Sequence, residues 1–222
     1  LMRRLLAIRE FPIFIVFLFF FAIAGLGNHA LFSTSGLHDL LFGSAVVSLL
    51  ACAETMIIVM KHIDLSIGSV IGFSSYLIGK NSGEHHGLIY CLAIGIGFGL
   101  IVGAINGILV AYFKLPSLVV TLGTLYLVRG LFNQVAAGDF INSDKVPHLL
   151  SYMSNHNFLK VPYLFIVALV VALCVGFYMR NFRSGRDLYA IGSNFPASTL
   201  AGIDVARRTF FAFVATGGIA GF

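Results

Sequence analysis

Few side chains in this sequence could do chemistry, and most of those sit inside apolar runs. Glu54 is a single carboxylate within one hydrophobic stretch, Arg129 a single guanidinium within another, and Asn106, Thr121 and Thr124 are uncharged hydrogen-bonding groups in similar surroundings. An ionisable group in hydrocarbon costs on the order of 3 kcal/mol, so such residues turn towards a partner, a polar cavity or the interface. Glu54 could carry a proton, Arg129 could hold an anion or snorkel to the interface, and Asn106, Thr121 and Thr124 could line a route. Each also has a packing reading: Glu54 as a hydrogen-bonded core group, Asn106 as a bond across a helix seam, the threonines bonding back to their preceding turn. Glu84, His85 and His86 are too few and too local for a metal site, and a solvated loop is the reading adopted. Cys52, Cys91 and Cys174 are isolated in apolar runs and read as packing residues. No GxxxxGK[ST], GxSxG or HExxH pattern occurs. No catalytic, cofactor-binding or metal-ligating residue is therefore assigned.

The elements that must position these residues are membrane helices. With 59% hydrophobic and 10% charged residues over 222 positions, the chain cannot hide its apolar side chains in a soluble core. The expected fold is all-α, a polytopic transmembrane helical bundle in one domain over residues 1–222. Hydropathy places spans at Phe11–Gly27, Leu40–Met60, Ile63–Gly79, Leu88–Phe113, Pro116–Gly130 and Val161–Met179. A seventh starts at Thr209, and only 14 residues of it are present, so the carboxyl-terminal part is expected to be truncated. A cleaved signal peptide ending near Ala22-Ile23-Ala24 is the rival reading of the first span.

Charge tests that layout. With a cytoplasmic amino terminus, Arg3, Arg4, Arg9, Lys61, Lys114, Arg180, Arg183, Arg186, Arg207 and Arg208 fall inside, against Lys80, Lys145 and Lys160 outside. The asymmetry fits the positive-inside rule. The net charge of +5 thus reports orientation, and no nucleic-acid partner is implied.

Two local patterns stand out. Gly95, Gly99, Gly103 and Gly107 place one glycine per turn along a single stripe, a seam where another helix backbone can approach. The polar stretch of about residues 180–208 must lie in water between two spans. Within it Ala197, Leu200 and Ala201 recur at helical spacing, Asn194 can cap the start with Pro196 just inside, and Gly202 can stop the helix. A short amphipathic helix is expected there, either a docking surface or an ordinary connection.

Three stretches carry a resemblance: GRDLYAIGSNFPASTLAGIDV from Gly185, IDLSIGSVIG from Ile63, and PSLVVTLGTLYLVRG from Pro116. Together and in order they resemble permease subunits of bacterial ABC importers of the ribose and monosaccharide type, including those for furanosyl signals. That family usually has glycine before the IDLS-type motif, where Lys61 and His62 stand here. The resemblance implies a multi-pass protein of the bacterial inner membrane, without its own nucleotide site. It further implies ABC ATPase subunits as partners, an extracytoplasmic sugar-binding protein, and a second permease copy or sister permease. Gly192, Asn194, Ala197, Leu200, Ala201, Gly202 and Ile203 would then couple to the ATPase, and the span holding Thr121, Thr124 and Arg129 would border the path. Two other classes remain open from the residues alone: an ion-coupled secondary transporter using Glu54 and Arg129, and a non-transporting membrane scaffold.

Overall fold

The computed structural model describes residues 11–83, 87–139, 141, 146, 148–159 and 161–222. The basic residues of the first ten positions, the Glu84-His85-His86 cluster, Lys145 and Lys160 lie outside that set. The described chain runs α1 (Phe11–Gly27), a 3-10 turn (His29–Phe32), α2 (Thr34–Ile58), α3 (Ile67–Gly83), α4 (Leu88–Ala111) and α5 (Ser117–Ala136). It continues with α6 (His148–Asn155), a two-residue hairpin of β1 (Asn157–Phe158) and β2 (Val161–Pro162), α7 (Tyr163–Asn181), α8 (Arg183–Ser193), α9 (Phe195–Leu200) and α10 (Val205–Gly221). The protein is an all-α membrane protein: α2, α4, α5 and α7 are each long and apolar enough to cross a bilayer. Their outer faces leave residues such as Ile89 and Leu173 at 85% and 65% exposure, tolerable only against lipid. Helices α1, α3 and α10 have 17 residues each, a rise of about 26 Å against a hydrocarbon core of about 30 Å.

Several boundaries differ from those that hydropathy predicts, for local reasons. Ser33 caps α2 by accepting the Gly36 N–H at 3.1 Å, which starts that helix six residues before Leu40. Helix α5 does not stop at Gly130, because Leu131 and Phe132 continue its apolar face. It ends where Ala137 and Gly138 take φ values of 45° and 84°. The polar stretch after it holds α6 and the small hairpin among its described residues.

The centre of the bundle is the antiparallel pair α4 and α10. A Cβ placed on Gly95 would come within 2.6 Å of the Gly221 carbonyl oxygen, and one on Gly107 within 3.0 Å of the Phe210 carbonyl oxygen. Between them, Gly99 and Gly103 lie against the carbonyls of Gly217 and Phe213. Gly217 and Gly221 lie reciprocally against the Gly99 and Gly95 carbonyls, so backbone meets backbone along the whole face. Thr216 adds a cross-link to α2, donating its hydroxyl to the Ala53 carbonyl at 3.0 Å. Two apolar clusters flank this pair. One gathers Met56, Ile57, Leu188, Ile191 and Phe213, the other Val70, Phe73, Tyr76 and Val128.

Candidate functional site

The connection between α2 and α3 builds the first part of the site. Asp64 is buried, and its Oδ1 accepts both the Ser66 N–H at 2.8 Å and the Ser66 hydroxyl at 2.6 Å. Burial pushes the Asp64 carboxyl upwards, while the two Ser66 donors pull the other way. Ser66 Oγ in turn accepts from Asn106 Nδ2 at 2.9 Å, and Asn106 Oδ1 accepts from the Thr124 hydroxyl at 2.6 Å. One relay thus joins the 61–66 connection, α4 and α5. Thr121 Oγ1 adds a contact to the Ile63 carbonyl at 3.3 Å, and Ser117 Oγ accepts the Ile63 N–H at 3.2 Å. Both threonines also reach back to the carbonyls of Ser117 and Val120 at 2.9 Å.

Asn106 and Thr121 are fully buried, so in this conformation they face their partners and no open path. A buried acceptor stripped of its donor costs about 1–3 kcal/mol. Thr124→Val, which keeps the shape and removes the hydroxyl, is expected to lower stability by about that amount through the orphaned Asn106 oxygen. Thermal unfolding of the detergent-solubilised protein measures it, and an unchanged midpoint would remove Thr124 from the relay.

Arg129 sits apart from these groups. It is exposed two turns further along α5 and lines a cavity of about 310 Å³ with Gly68, Ser69 and Gly72 of α3 and Leu125 and Phe132 of its own helix. Gly68 and Gly72 meet no neighbour there among the described residues, since a Cβ on either would find nothing within 4 Å. A guanidinium, a hydroxyl and an aromatic ring around bare backbone can bind a polar, polyhydroxylated solute through hydrogen bonds and stacking. Near Asp64 lies Glu54, on α2. Both its carboxylate oxygens are buried with no hydrogen-bond partner among the described residues.

The polar segment forms two helices. Helix α8 has a buried face of Gly185, Leu188, Ile191 and Gly192, and Gly192 is seated on the Val59 carbonyl at the end of α2. Its Asp187, 8% exposed, takes the Arg208 guanidinium from the first turn of α10, with Nε and a terminal nitrogen both 2.8 Å from Oδ2. Asn194 then caps α9 by accepting the Ala197 N–H at 3.0 Å, with Pro196 in the first turn.

Helix α9 ends in a Schellman arrangement: Gly202 N–H donates to the Thr199 carbonyl at 3.0 Å and Ile203 N–H to the Ser198 carbonyl at 3.1 Å. Gly202 has φ 77°, the conformation that suits glycine there. Ser198 is the buried residue of α9, whereas Ala197 and Ala201 are exposed and Phe195 and Leu200 stand out at 59% and 90%. Spacing did not reveal α8, the Asp187–Arg208 pair or the exposure of Phe195. The available signals were the recurrence of Gly185, Leu188 and Gly192 at helical intervals and two opposite charges 21 residues apart.

The sequence model of a protein family described as "Branched-chain amino acid transport system / permease component" matches residues 36–222. The autoinducer 2 import system permease protein LsrC of Enterobacter sp. (strain 638) is 31% identical over 219 residues, 99% of this chain and 63% of that protein. The protein of the same name from Klebsiella pneumoniae is 32% identical over the same shares. That from Salmonella typhimurium is 34% identical over 183 residues, 82% of this chain and 52% of the relative. The chain thus spans 63% or less of the length of these curated relatives. No solved structure matches. Apolar helices of membrane-crossing length and a family match over most of the residues lead to one conclusion: the chain belongs to this permease family and is a multi-pass protein of the inner membrane.

Proposed function

We propose that the chain is the membrane-spanning subunit of an ATP-driven importer, crossing the bilayer seven times from a cytoplasmic amino terminus. The observation that carries this reading is α9: a capped helix with exposed apolar side chains, mounted on a base held by Gly192 against Val59 and by Asp187 against Arg208. Such a knob, rigid at its root and apolar at its tip, suits a partner's groove better than open water. ATP would be hydrolysed in separate ABC ATPase subunits, and a binding protein outside the membrane would deliver the cargo. A second copy or a sister permease would complete the path.

The relatives are permeases of autoinducer 2 import systems, which supports the monosaccharide or related furanosyl cargo implied by the three resembling stretches over a branched-chain amino acid. In this mechanism a displacement of α9 passes through Gly192 to the end of α2 and through Arg208 to α10. The Asp64–Ser66–Asn106–Thr124 relay then carries it to α5, whose Arg129 faces the groove where the solute would pass. The packing glycines Gly95, Gly99, Gly103 and Gly107 keep α4 and α10 moving as one body.

Leu200→Arg tests the docking step. At 90% exposure the substitution should change stability by no more than about 0.5 kcal/mol. Co-purification with the ATPase and uptake are nevertheless expected to fall at least about tenfold, the effect of a charge forced into an apolar contact. Normal co-purification would refute the assignment. Gly202 is a poorer probe, since its φ of 77° strains any replacement.

A further inference from the structure

We propose that the cleft between the α2–α3 connection, the α4–α5 connection and the first turn of α10 binds the phosphate of an acidic phospholipid. The cleft has a volume of about 690 Å³, and Lys61 and Lys114, both exposed, stand on its wall. Both lysines hold left-handed backbone, with φ 65° and 56°, a conformation that glycine enters freely and other residues at a penalty. Of the positive-φ residues other than glycine among the described ones, these two are the charged members, and they share this cleft.

One helix start adds to the field. The first turn of α5, at Ser117, lines the cleft without a side-chain cap, and its amide end carries partial positive charge, whereas Asp204 caps the start of α10 at Val205. No carboxylate lines it among the described residues. Asp204, beside Val205, is committed to its own helix, accepting the Arg207 N–H at 3.0 Å, and Asp64 is buried against Ser66. His62 also reaches the cleft, but its burial favours the neutral ring, so the lysines supply the charge.

The surroundings select the source of the phosphate. Phe113, Leu115 and Leu118, at 67%, 44% and 46% exposure, sit beside Lys114 at the ends of α4 and α5. A charged pocket with an apolar margin at the ends of membrane helices suits a headgroup whose acyl chains lie along those helices. A free anion would make no use of that margin.

The test uses the full-length protein in detergent, titrated with phosphatidylglycerol or phosphatidylcholine and read by native mass spectrometry. Phosphatidylglycerol is expected to be retained in preference. The Lys61→Gly, Lys114→Gly double variant should weaken that retention roughly twenty-five-fold, about fivefold for each lysine near an anionic group. Its thermal midpoint should not fall, because glycine relieves both left-handed residues. Lys61→Arg with Lys114→Arg, which keeps the charge, should keep the lipid and guards against loss of fold in the glycine variant. Equal retention of the two lipids would overturn the proposal, as would an unaffected glycine variant. Displacement of the lipid by millimolar inorganic phosphate would reassign the cleft to free anions. Loss of the ATPase partner without loss of lipid would reassign it to a protein contact.

Discussion

Gly99→Leu is expected to leave almost no folded protein recoverable in detergent. The prediction rests on what faces that position: not a side chain that could rotate away, but the carbonyl of Gly217 and the backbone of Gly221 on α10. Overpacking a core that can give costs about 1–3 kcal/mol. Here an isobutyl group can be accommodated only by moving two helix backbones apart along a face where glycine opposes glycine twice. Separation would also stretch the Thr216 bond to the Ala53 carbonyl, which holds α10 to α2. Losses at this seam should therefore sum to several kcal/mol, comparable to the roughly 5–15 kcal/mol that holds a typical domain together. Gly97→Leu supplies the control. It lies on the same helix with the same change in hydropathy, and its Cβ would meet nothing within 4 Å. Size-exclusion profiles of the two variants should diverge, with Gly97→Leu eluting as the parent protein. If Gly99→Leu elutes likewise, α4 and α10 do not touch there.

How much of this was legible in the amino-acid order depends on whether the determining partner is near in sequence. The start and stop of α9 are local matters, set by the short reach of Asn194 to the Ala197 N–H and by the left-handed turn at Gly202. The glycine stripe of α4 is likewise local, since four-residue spacing alone puts its members on one face. The other half of that seam was not seen, although Gly217 and Gly221 repeat the same interval. Only the packing tells which stripe meets which.

Helix α8 escaped because its arginines suggest a solvated connection, while its buried face gains its meaning from the end of α2, far away in the chain. The relay is the clearest case. Ser66, Asn106 and Thr124 are separated by 40 and 18 residues, and no periodicity links them. The sequence suggested Asn106 and Thr124 singly, as seam or path residues, but their mutual hydrogen bonds with Ser66 arise only once α3, α4 and α5 are assembled. Arg129 illustrates the converse, a residue singled out by its cost in a membrane and left by the fold without any ion pair among the described residues, in a groove.

On the proposed mechanism, uptake should collapse in Asp187→Ala while the permease still assembles and the ABC ATPase proposed as its partner still turns over. The pair it breaks is the one charged tie seen, among the described residues, between α8 and α10. Asp187 is 8% exposed, so its removal withdraws the acceptor from a guanidinium that has two nitrogens at 2.8 Å. Arg208 keeps 30% of its side chain in solvent and can turn outwards, which limits the stability loss to about 1–2 kcal/mol, well short of a fully buried pair. The functional loss should be larger, because the pair fixes the angle between the α9 base and the helix at the centre of the bundle. Without it, displacement of α9 would be absorbed by rocking of α8 instead of reaching α10. On the proposed mechanism the ratio of solute moved to ATP hydrolysed should drop at least about tenfold, the range expected when a coupling free energy of 1–3 kcal/mol is lost. The exchanged variant, Asp187→Arg with Arg208→Asp, should recover part of the uptake, since it restores attraction across the same gap. A stability effect alone would lower assembly and ATP turnover together and leave the ratio unchanged. An unaltered ratio in Asp187→Ala would therefore strip the pair of any part in coupling and leave that part to other contacts, such as Gly192 on Val59.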